Sequence, residues 1–307
     1  MNADRNNERV TPYAPRGFDG TAFIEALGHF GHLDSLESLV LNLRQDDGPF
    51  TASLDQDGSA PEEIMLQFLI FKTLAESPPT FIRPLKSLTV DKLLPLRNPA
   101  IATTSVIAIL SKLNHLAIRT TTPYEGIRMT GSQLESSIPK SVFQREVVPS
   151  SLVSLELHHT NIRSADILIP VARIHLPRLE RLSLQRIYFS EHGAVESFIA
   201  NHGATLAELK MFLCPMALTT SSDITARPKR FRRWSQVWER FDRELKVLRN
   251  LVVSERLDSK GAEDVSYNRY LENCYHLDAA KLGEAVIVED DDALKQLEKN
   301  VESRLQP

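Results

Sequence analysis

The chain has 307 residues, of which 42% are hydrophobic and 25% charged, and it carries a formal net charge of −4. This is the composition of an ordinary soluble protein, and its acidic balance gives no overall positive field that would attract nucleic acid. Two cysteines, Cys214 and Cys274, are too few for a disulfide framework or a cysteine-rich zinc site. We therefore expect an intracellular protein, cytoplasmic, with a nuclear location as the alternative.

The N-terminal residues predict neither secretion nor membrane anchoring. Residues 1–9 are polar and lack the apolar core of a signal peptide. The longest apolar stretch, 64–74, is far shorter than the roughly 20 residues that cross a bilayer, so no membrane partner is expected. Residues 1–17 are rich in Asn, Arg and Asp and contain two prolines, a composition that predicts disorder.

Short leucine-spaced segments recur from residue 36 onward. Leu155, Leu182 and Leu209 anchor three of them at equal intervals of 27 residues (182 − 155 and 209 − 182). A repeat of about 20–29 residues built on L-x-x-L-x-L indicates leucine-rich repeats, in which each unit buries its apolar face by stacking on a neighbour. The predicted repeat strands are 36–43, 85–90, 113–118, 152–157, 179–184, 206–211 and 248–253.

Helical periodicity fills several of the intervals between these strands. Ser190 is predicted to be the N-cap of the helix that precedes Leu209. The last helix is predicted to begin at Asp291, because the helix dipole favours acidic residues at its start. The polar segments 46–60 and 120–147 are predicted to be insertions that leave the repeat body. The predicted helices are 18–30, 61–74, 100–110, 191–204, 234–245 and 291–305.

These elements predict an α/β fold, an irregular leucine-rich-repeat solenoid. It is expected to be curved, with short parallel strands on the concave face and helices on the convex face. Within each strand, alternation points the leucines inward and the residues between them outward. The predicted organisation is a disordered N-terminus at 1–17, the solenoid at 18–256, and a C-terminal linker and helix at 257–307.

Three stretches carry a resemblance to a known family: 176–184 (LPRLERLSL), 195–206 (VESFIANHGATL) and 234–238 (WSQVW). With them the chain resembles the irregular leucine-rich-repeat proteins of filamentous fungi, many of which are F-box proteins. The resemblance implies the substrate-recognition part of a ubiquitin ligase adaptor, in which an N-terminal F-box opened by a Leu-Pro pair binds the Skp1 adaptor. No Leu-Pro pair occurs in the first 90 residues. Skp1 is therefore expected as a partner only if an F-box precedes this sequence, as it would in a truncated gene model.

The function expected from these features is that of a non-catalytic protein-binding module. One interpretation is the substrate-recognition part of an F-box-type adaptor. The alternative is a free-standing leucine-rich-repeat scaffold with no ubiquitin-ligase link, and an enzyme is a remote third. Because the sequence contains no G-x-S-x-G, P-loop, G-x-G-x-x-G or H-E-x-x-H motif, no catalytic, cofactor-binding or metal-binding residue is predicted.

Two polar clusters could suggest a metal site. His158 and His159 are expected to point to opposite faces of a strand, which favours an exposed histidine on a binding face over a pair of metal ligands. The acidic run 289–292 lacks the alternation and glycine of a calcium loop. It is interpreted as a helix N-terminus with solvated charges.

The basic run 227–233 is a solvated loop, a nuclear localisation signal or, as the least favoured interpretation, a segment that contacts nucleic acid. It directly precedes Trp234, Trp238 and Phe241, which share one face at helical spacing. That spacing favours a position in the core over a platform for a ligand.

A protein substrate or partner is expected to bind the outward positions of the strands, which curvature would join into one concave surface. Their mixed charges favour a specific protein over a polyanion. Phe212 is either an exposed anchor at the centre of this surface or a core residue covered by the insertion that follows it. The predicted partner-binding residues are Asn42, Asp91, Arg119, Glu156, His158, Gln185, Lys210, Phe212 and Ser254.

Overall fold

The computed structural model describes residues 25, 36–43, 62–76, 85–93, 103–121, 151–159, 175–187, 189–190, 193–214, 216–217, 232–254 and 284–305. In this part of the chain the structure is α/β, with one open sheet of seven parallel strands and five helices. The strands of this sheet are β1 (Ser38–Asn42), β2 (Ser87–Leu93), β3 (His115–Thr120), β4 (Ser154–His159), β5 (Arg181–Gln185), β7 (Glu208–Phe212) and β9 (Asn250–Ser254). The short strands β6 (Phe189–Ser190) and β8 (Met216–Ala217) pair with each other in a separate parallel sheet. The helices are α1 (Glu62–Glu76), α2 (Thr104–Leu110), α3 (Ala194–Ala200), α4 (Trp234–Glu244) and α5 (Glu284–Ser303).

The seven strands of the main sheet follow one another in chain order, β1-β2-β3-β4-β5-β7-β9, and every neighbouring pair is parallel. All seven predicted repeat segments form strands of this sheet. The leucines that anchor them lie opposite one another in register, because each strand starts at an equivalent point of its segment. One column contains Leu39, Leu88, Leu116, Leu155, Leu182, Leu209 and Leu251.

One backbone hydrogen-bond arrangement recurs at all six contacts between neighbouring strands. The amides of a strand's first residue and of the residue before it both donate to one carbonyl, that of the residue just before the preceding strand. For example, Glu180 N and Arg181 N both donate to Val153 O, at 2.9 and 3.0 Å. Ala207 N and Glu208 N then donate to Glu180 O, both at 2.9 Å. The accepting carbonyls belong to Glu37, Lys86, Asn114, Val153, Glu180 and Ala207.

The strands begin about two residues later than the leucine pattern predicts. The first leucine of each motif lies in the turn before its strand, where Leu179 and Leu206 are fully buried. The predicted strand boundaries were therefore wrong at this end. The first leucine supports the core without taking part in the sheet.

The helices pack against the leucine face of the sheet. One buried apolar cluster combines the strand leucines with residues from every helix, among them Phe71 of α1, Ile109 of α2, Phe198 of α3, Trp238 of α4 and Leu297 of α5. Burying each such side chain stabilises the fold by about 1.5–3 kcal/mol. The buried cluster includes none of the apolar residues that alternate with these leucines along the strands.

Helix α4 matches the predicted helix 234–245, and its aromatic residues lie in the core as expected. Helix α3 is shorter than the predicted 191–204, and the N-cap at Ser190 was wrong. The helix begins after Gly193, which has a φ of 62° and so adopts the left-handed conformation that glycine tolerates. Ser190 instead belongs to β6.

Gly203 follows α3 and permits a close approach to the end of α4. A Cβ atom at this position would lie 2.1 Å from the backbone oxygen of Glu244. Only glycine leaves room for this contact, which brings the two helices together.

Several predictions concern residues that the structure does not describe. These are the disordered N-terminus at 1–17, the loop 46–60 and residues 257–283 of the predicted C-terminal linker and helix. Only Glu25 of the predicted helix 18–30 is described, and it is helical. Only Thr120 and Thr121 of the predicted insertion 120–147 are described, and they lie at the end of β3.

Candidate interaction surface

The sheet has a second face, opposite the leucines, which we call the outward face. It consists of three rows of side chains that follow the strand register, with an irregularity between β2 and β3 after Val90. The row at the C-terminal ends of the strands contains Asn42, Asp91, Arg119, His158, Gln185, Phe212 and Ser254. The middle row contains Val40, Thr89, Ala117, Glu156, Ser183, Lys210 and Val252, and the last row contains Ser38, Ser87, His115, Ser154, Arg181, Glu208 and Asn250.

The structure places all nine predicted partner-binding residues on the outward face. Seven of them form the first row, and Glu156 and Lys210 lie in the row beside it. Exposure varies across this face. Asn42 at one edge is exposed, whereas Ala117 near the centre is only 1% exposed because longer neighbours surround its small side chain.

Three polar side chains come together near the middle of the outward face. Glu156 Oε2 lies 3.8 Å from Arg119 Nη2 and 3.9 Å from His158 Nε2. Both distances allow electrostatic attraction, but both are too long for a hydrogen bond. Arg119 Nε and His158 Nε2 are buried atoms without a hydrogen-bond partner among the described residues.

Burial lowers the pKa of His158 below its ordinary value of 6.5. The negative charge of Glu156 opposes this shift without reversing it, and the positive charge of Arg119 adds to it. His158 is therefore neutral at pH 7 and offers an imidazole, not a second cation, beside Arg119.

The other half of the outward face carries its aromatic residue. Phe212 is half-buried there, between Gln185 and Ser254 in its row, and it is not a member of the buried core cluster. Lys210 forms an ion pair with Glu208 of the same strand. The aromatic ring thus lies close to a cation that already has a partner.

His159 points to the leucine face, so the two adjacent histidines diverge as expected. It is 2% exposed, and its Nδ1 lies 2.7 Å from Thr120 Oγ1. Burial, together with the positive charge of Arg186, lowers its pKa to about 4. Within the described part of the chain, no group of three or more His, Cys, Asp or Glu side chains could hold a metal ion.

The last two residues of the basic run, Arg232 and Arg233, form hydrogen bonds with glutamates of α3 and α5. Arg232 Nε donates to Glu196 Oε2 at 3.0 Å, and Arg233 Nη1 donates to Glu289 Oε2 at 2.8 Å. Glu196 is only 1% exposed and also accepts a hydrogen bond from Arg240 Nη1 at 3.1 Å. Residues 227–231 lie outside the described residues. The sequence analysis missed Glu196, because its position on α3 gives no sign that two arginines from later in the chain converge on it.

The interpretation of the acidic run as a helix N-terminus with solvated charges was wrong. Helix α5 begins at Glu284, so residues 289–292 lie within it. Asp290 is only 4% exposed, and its Oδ1 accepts a hydrogen bond from Ser235 N at 2.6 Å. It supplies a carboxylate to the first turn of α4, where backbone amides lack partners within their own helix.

Cys214 is a further residue that the sequence analysis did not use. Its Sγ donates to Leu184 O and Phe212 O, both at 3.5 Å, and burial raises the pKa of its thiol to about 12. Counted from Leu206, it is the ninth residue of its repeat motif, where leucine-rich repeats place asparagine or cysteine. The sequence alone contained this signal.

An open groove of about 500 Å³ lies between α4 and α5, with Trp238 and Leu297 among its lining residues. Two of the carboxylates that line it are already engaged. Asp242 pairs with Arg304, and Glu289 pairs with Arg233. These contacts fasten the two helices together and assign no ligand to the groove.

No helix in the described part of the chain is long and apolar enough to cross a membrane. Comparison of the sequence with models of protein families, and of the chain with curated proteins and with solved structures, finds no match.

Proposed function

We propose that this chain is a non-catalytic protein-binding module, wound as an irregular leucine-rich-repeat solenoid, whose outward face binds a protein partner. The observation that carries the proposal is the separation of the two sheet faces. The helices and all the anchor leucines occupy one face, while the other presents three rows of mainly polar side chains.

Three observations support the solenoid. The strands follow chain order in one parallel sheet. An equivalent pair of amides donates to the preceding repeat at each of the six contacts, so each repeat is packed on its neighbour in the same way. Cys214 occupies the motif position that binds neighbouring carbonyls.

The chemistry of the outward face supports a protein partner. Its charges are of both signs: Glu156 lies beside Arg119, and Glu208 pairs with Lys210, so the face would repel parts of any uniformly charged polymer. The half-buried ring of Phe212 adds an aromatic side chain of the kind that often dominates binding energy at protein interfaces. A cytoplasmic location, or a nuclear one if 227–233 acts as a signal, belongs to the same proposal.

Photo-crosslinking tests which face binds. A benzoylphenylalanine at Gln185 would report contacts of the outward face, and one at Glu239, exposed on α4, would report contacts of the helical face. In cells that naturally express the protein, Gln185 should yield a discrete crosslinked partner and Glu239 should not. A partner trapped from Glu239 alone would refute the proposed binding face.

The ubiquitin-ligase role is supported by the resemblance of 176–184, 195–206 and 234–238 to the fungal F-box proteins. The free-standing scaffold rests on the same repeats without that link. Co-purification of Skp1 with the protein expressed from its native locus would favour the ligase adaptor. Its absence there, with the crosslinked partner still present, would leave the scaffold.

A further inference from the structure

Arg119 differs from three other half-buried arginines that the structure describes. Arg232, Arg240 and Arg304 each donate hydrogen bonds to a carboxylate. Arg119 is 41% exposed in its side chain and donates no hydrogen bond to any described residue. A guanidinium carries five N–H donors in a planar fork, and an enclosed donor without an acceptor is unfavourable.

The carboxylates nearest to Arg119 do not fill this role. Glu156 Oε2 approaches Nη2 only to 3.8 Å. Asp91 Oδ1 instead accepts a hydrogen bond from the backbone amide of Lys92 at 3.0 Å. On the neighbouring strand β4, Arg119 is opposite His158, whose Nε2 also has no hydrogen-bond partner among the described residues. Arg119 and His158 therefore lie opposite each other on the outward face, each with a buried nitrogen that makes no hydrogen bond to a described residue.

We propose that Arg119, with His158 beside it, binds a carboxylate group presented by the protein partner. The inference rests on the proposed function and names the chemistry of its contact. A carboxylate fits because its two oxygens match two parallel N–H donors of a guanidinium. Because Nε is enclosed, the Nη atoms at the exposed end of the side chain would make this contact. Arg119 lies on the third of seven strands, away from both sheet edges, where residues important for binding tend to lie.

Glu156 is then a competitor for Arg119 and not its permanent partner. In the free protein it lies between Arg119 and His158 and attracts the guanidinium without a hydrogen bond. A carboxylate from the partner would meet repulsion from Glu156. Substitutions at the two residues should therefore have opposite effects on binding: loss of Arg119 weakens it, whereas Glu156→Gln strengthens it. A simple structural ion pair would leave binding unchanged by both.

Sodium acetate is the probe for this site, with NMR of arginine Nε–Hε resonances as the readout. The Arg119 resonance is assigned by its loss in Arg119→Lys. Arg181→Lys identifies a control arginine that is exposed on the same face. At neutral pH and constant ionic strength, acetate should shift the Arg119 resonance saturably and leave that of Arg181 unchanged. Glu156→Gln should bind acetate about fivefold more tightly, because a like charge near the site is removed.

An Arg119 resonance that does not respond to acetate in either protein would overturn the inference, as would weaker binding by Glu156→Gln. Melting temperatures of the variants establish that each is folded. The crosslink from Gln185 separates this failure from failure of the proposed function. If that crosslink forms while acetate leaves Arg119 unmoved, the outward face binds a partner by other chemistry.

Discussion

Truncation of Leu182 to alanine tests the packing of the leucine column. Leu182 is 1% exposed and lies in register between Leu155 and Leu209, which are 1% and 0% exposed. The shortened side chain would leave a cavity enclosed by a strand on each side. The recurring backbone hydrogen bonds fix the spacing of those strands, so the cavity should not close.

The expected loss in the free energy of unfolding is about 2–5 kcal/mol, the range for buried leucine truncations, with the upper part expected where the surroundings cannot relax. Leu251 occupies the same column in the last strand, has Leu209 on one side only, and is half-buried. Leu251→Ala should therefore cost about 1–2 kcal/mol, since less apolar surface leaves water. Ser183→Ala, on the outward face, should stay within about 0.5 kcal/mol.

Urea unfolding followed by circular dichroism and by fluorescence of Trp234 and Trp238 measures these differences. The two signals must coincide for a free energy to be defined, because repeat arrays can lose cooperativity. A loss for Leu182→Ala no larger than that for Leu251→Ala would refute the reasoning, since the central leucine would then be no better enclosed than the edge one.

Three further predictions concern single contacts. Asp290→Ala should lower the free energy of unfolding by about 1–2 kcal/mol, because the first turn of α4 loses its acceptor; Asp292→Ala, which is exposed, is the control and should change it by less than about 0.5 kcal/mol. Gly203→Ala should cost about 3 kcal/mol or more, because the new Cβ would lie 2.1 Å from the Glu244 oxygen, and an unchanged melting temperature would contradict this geometry. As pH falls from 6.5 to about 4, the unfolded chain protonates His159 while the folded protein does not, so stability should decrease by roughly 3 kcal/mol over that range. The variant His159→Gln should lose this part of the pH dependence of urea unfolding.

The leucine spacing predicted the strands, their order and their buried face. It succeeded because each requirement is local: alternation places Leu155 and Leu157 on one side, and an equal interval brings Leu182 and Leu209 opposite Leu155. The outward residues followed from the same alternation, so their positions could be predicted without knowledge of any contact. Their interactions could not.

The errors involve contacts between residues far apart in sequence. An acidic run suggests a helix start because of the helix dipole. Asp290 instead lies inside α5 and accepts a hydrogen bond from Ser235 of α4, 55 residues earlier in the chain. Glu196 is buried because Arg232 and Arg240 reach it from α4 and the residues before it. A charged residue within a helix usually indicates exposure, and only the packing of α3 against α4 reverses that expectation.

The hydrogen bonds that repeat between strands involve backbone atoms alone. The side chains of the outward rows take no part in these recurring bonds, so their identities place little demand on this arrangement. A half-buried arginine needs another explanation. Arg232 and Arg240 have one, since both neutralise the buried Glu196. Arg119 neutralises no buried charge and donates no hydrogen bond to a described residue. The proposed contact with another molecule would give Arg119 this role, and Arg119→Gln should then impair partner binding while leaving the melting temperature nearly unchanged.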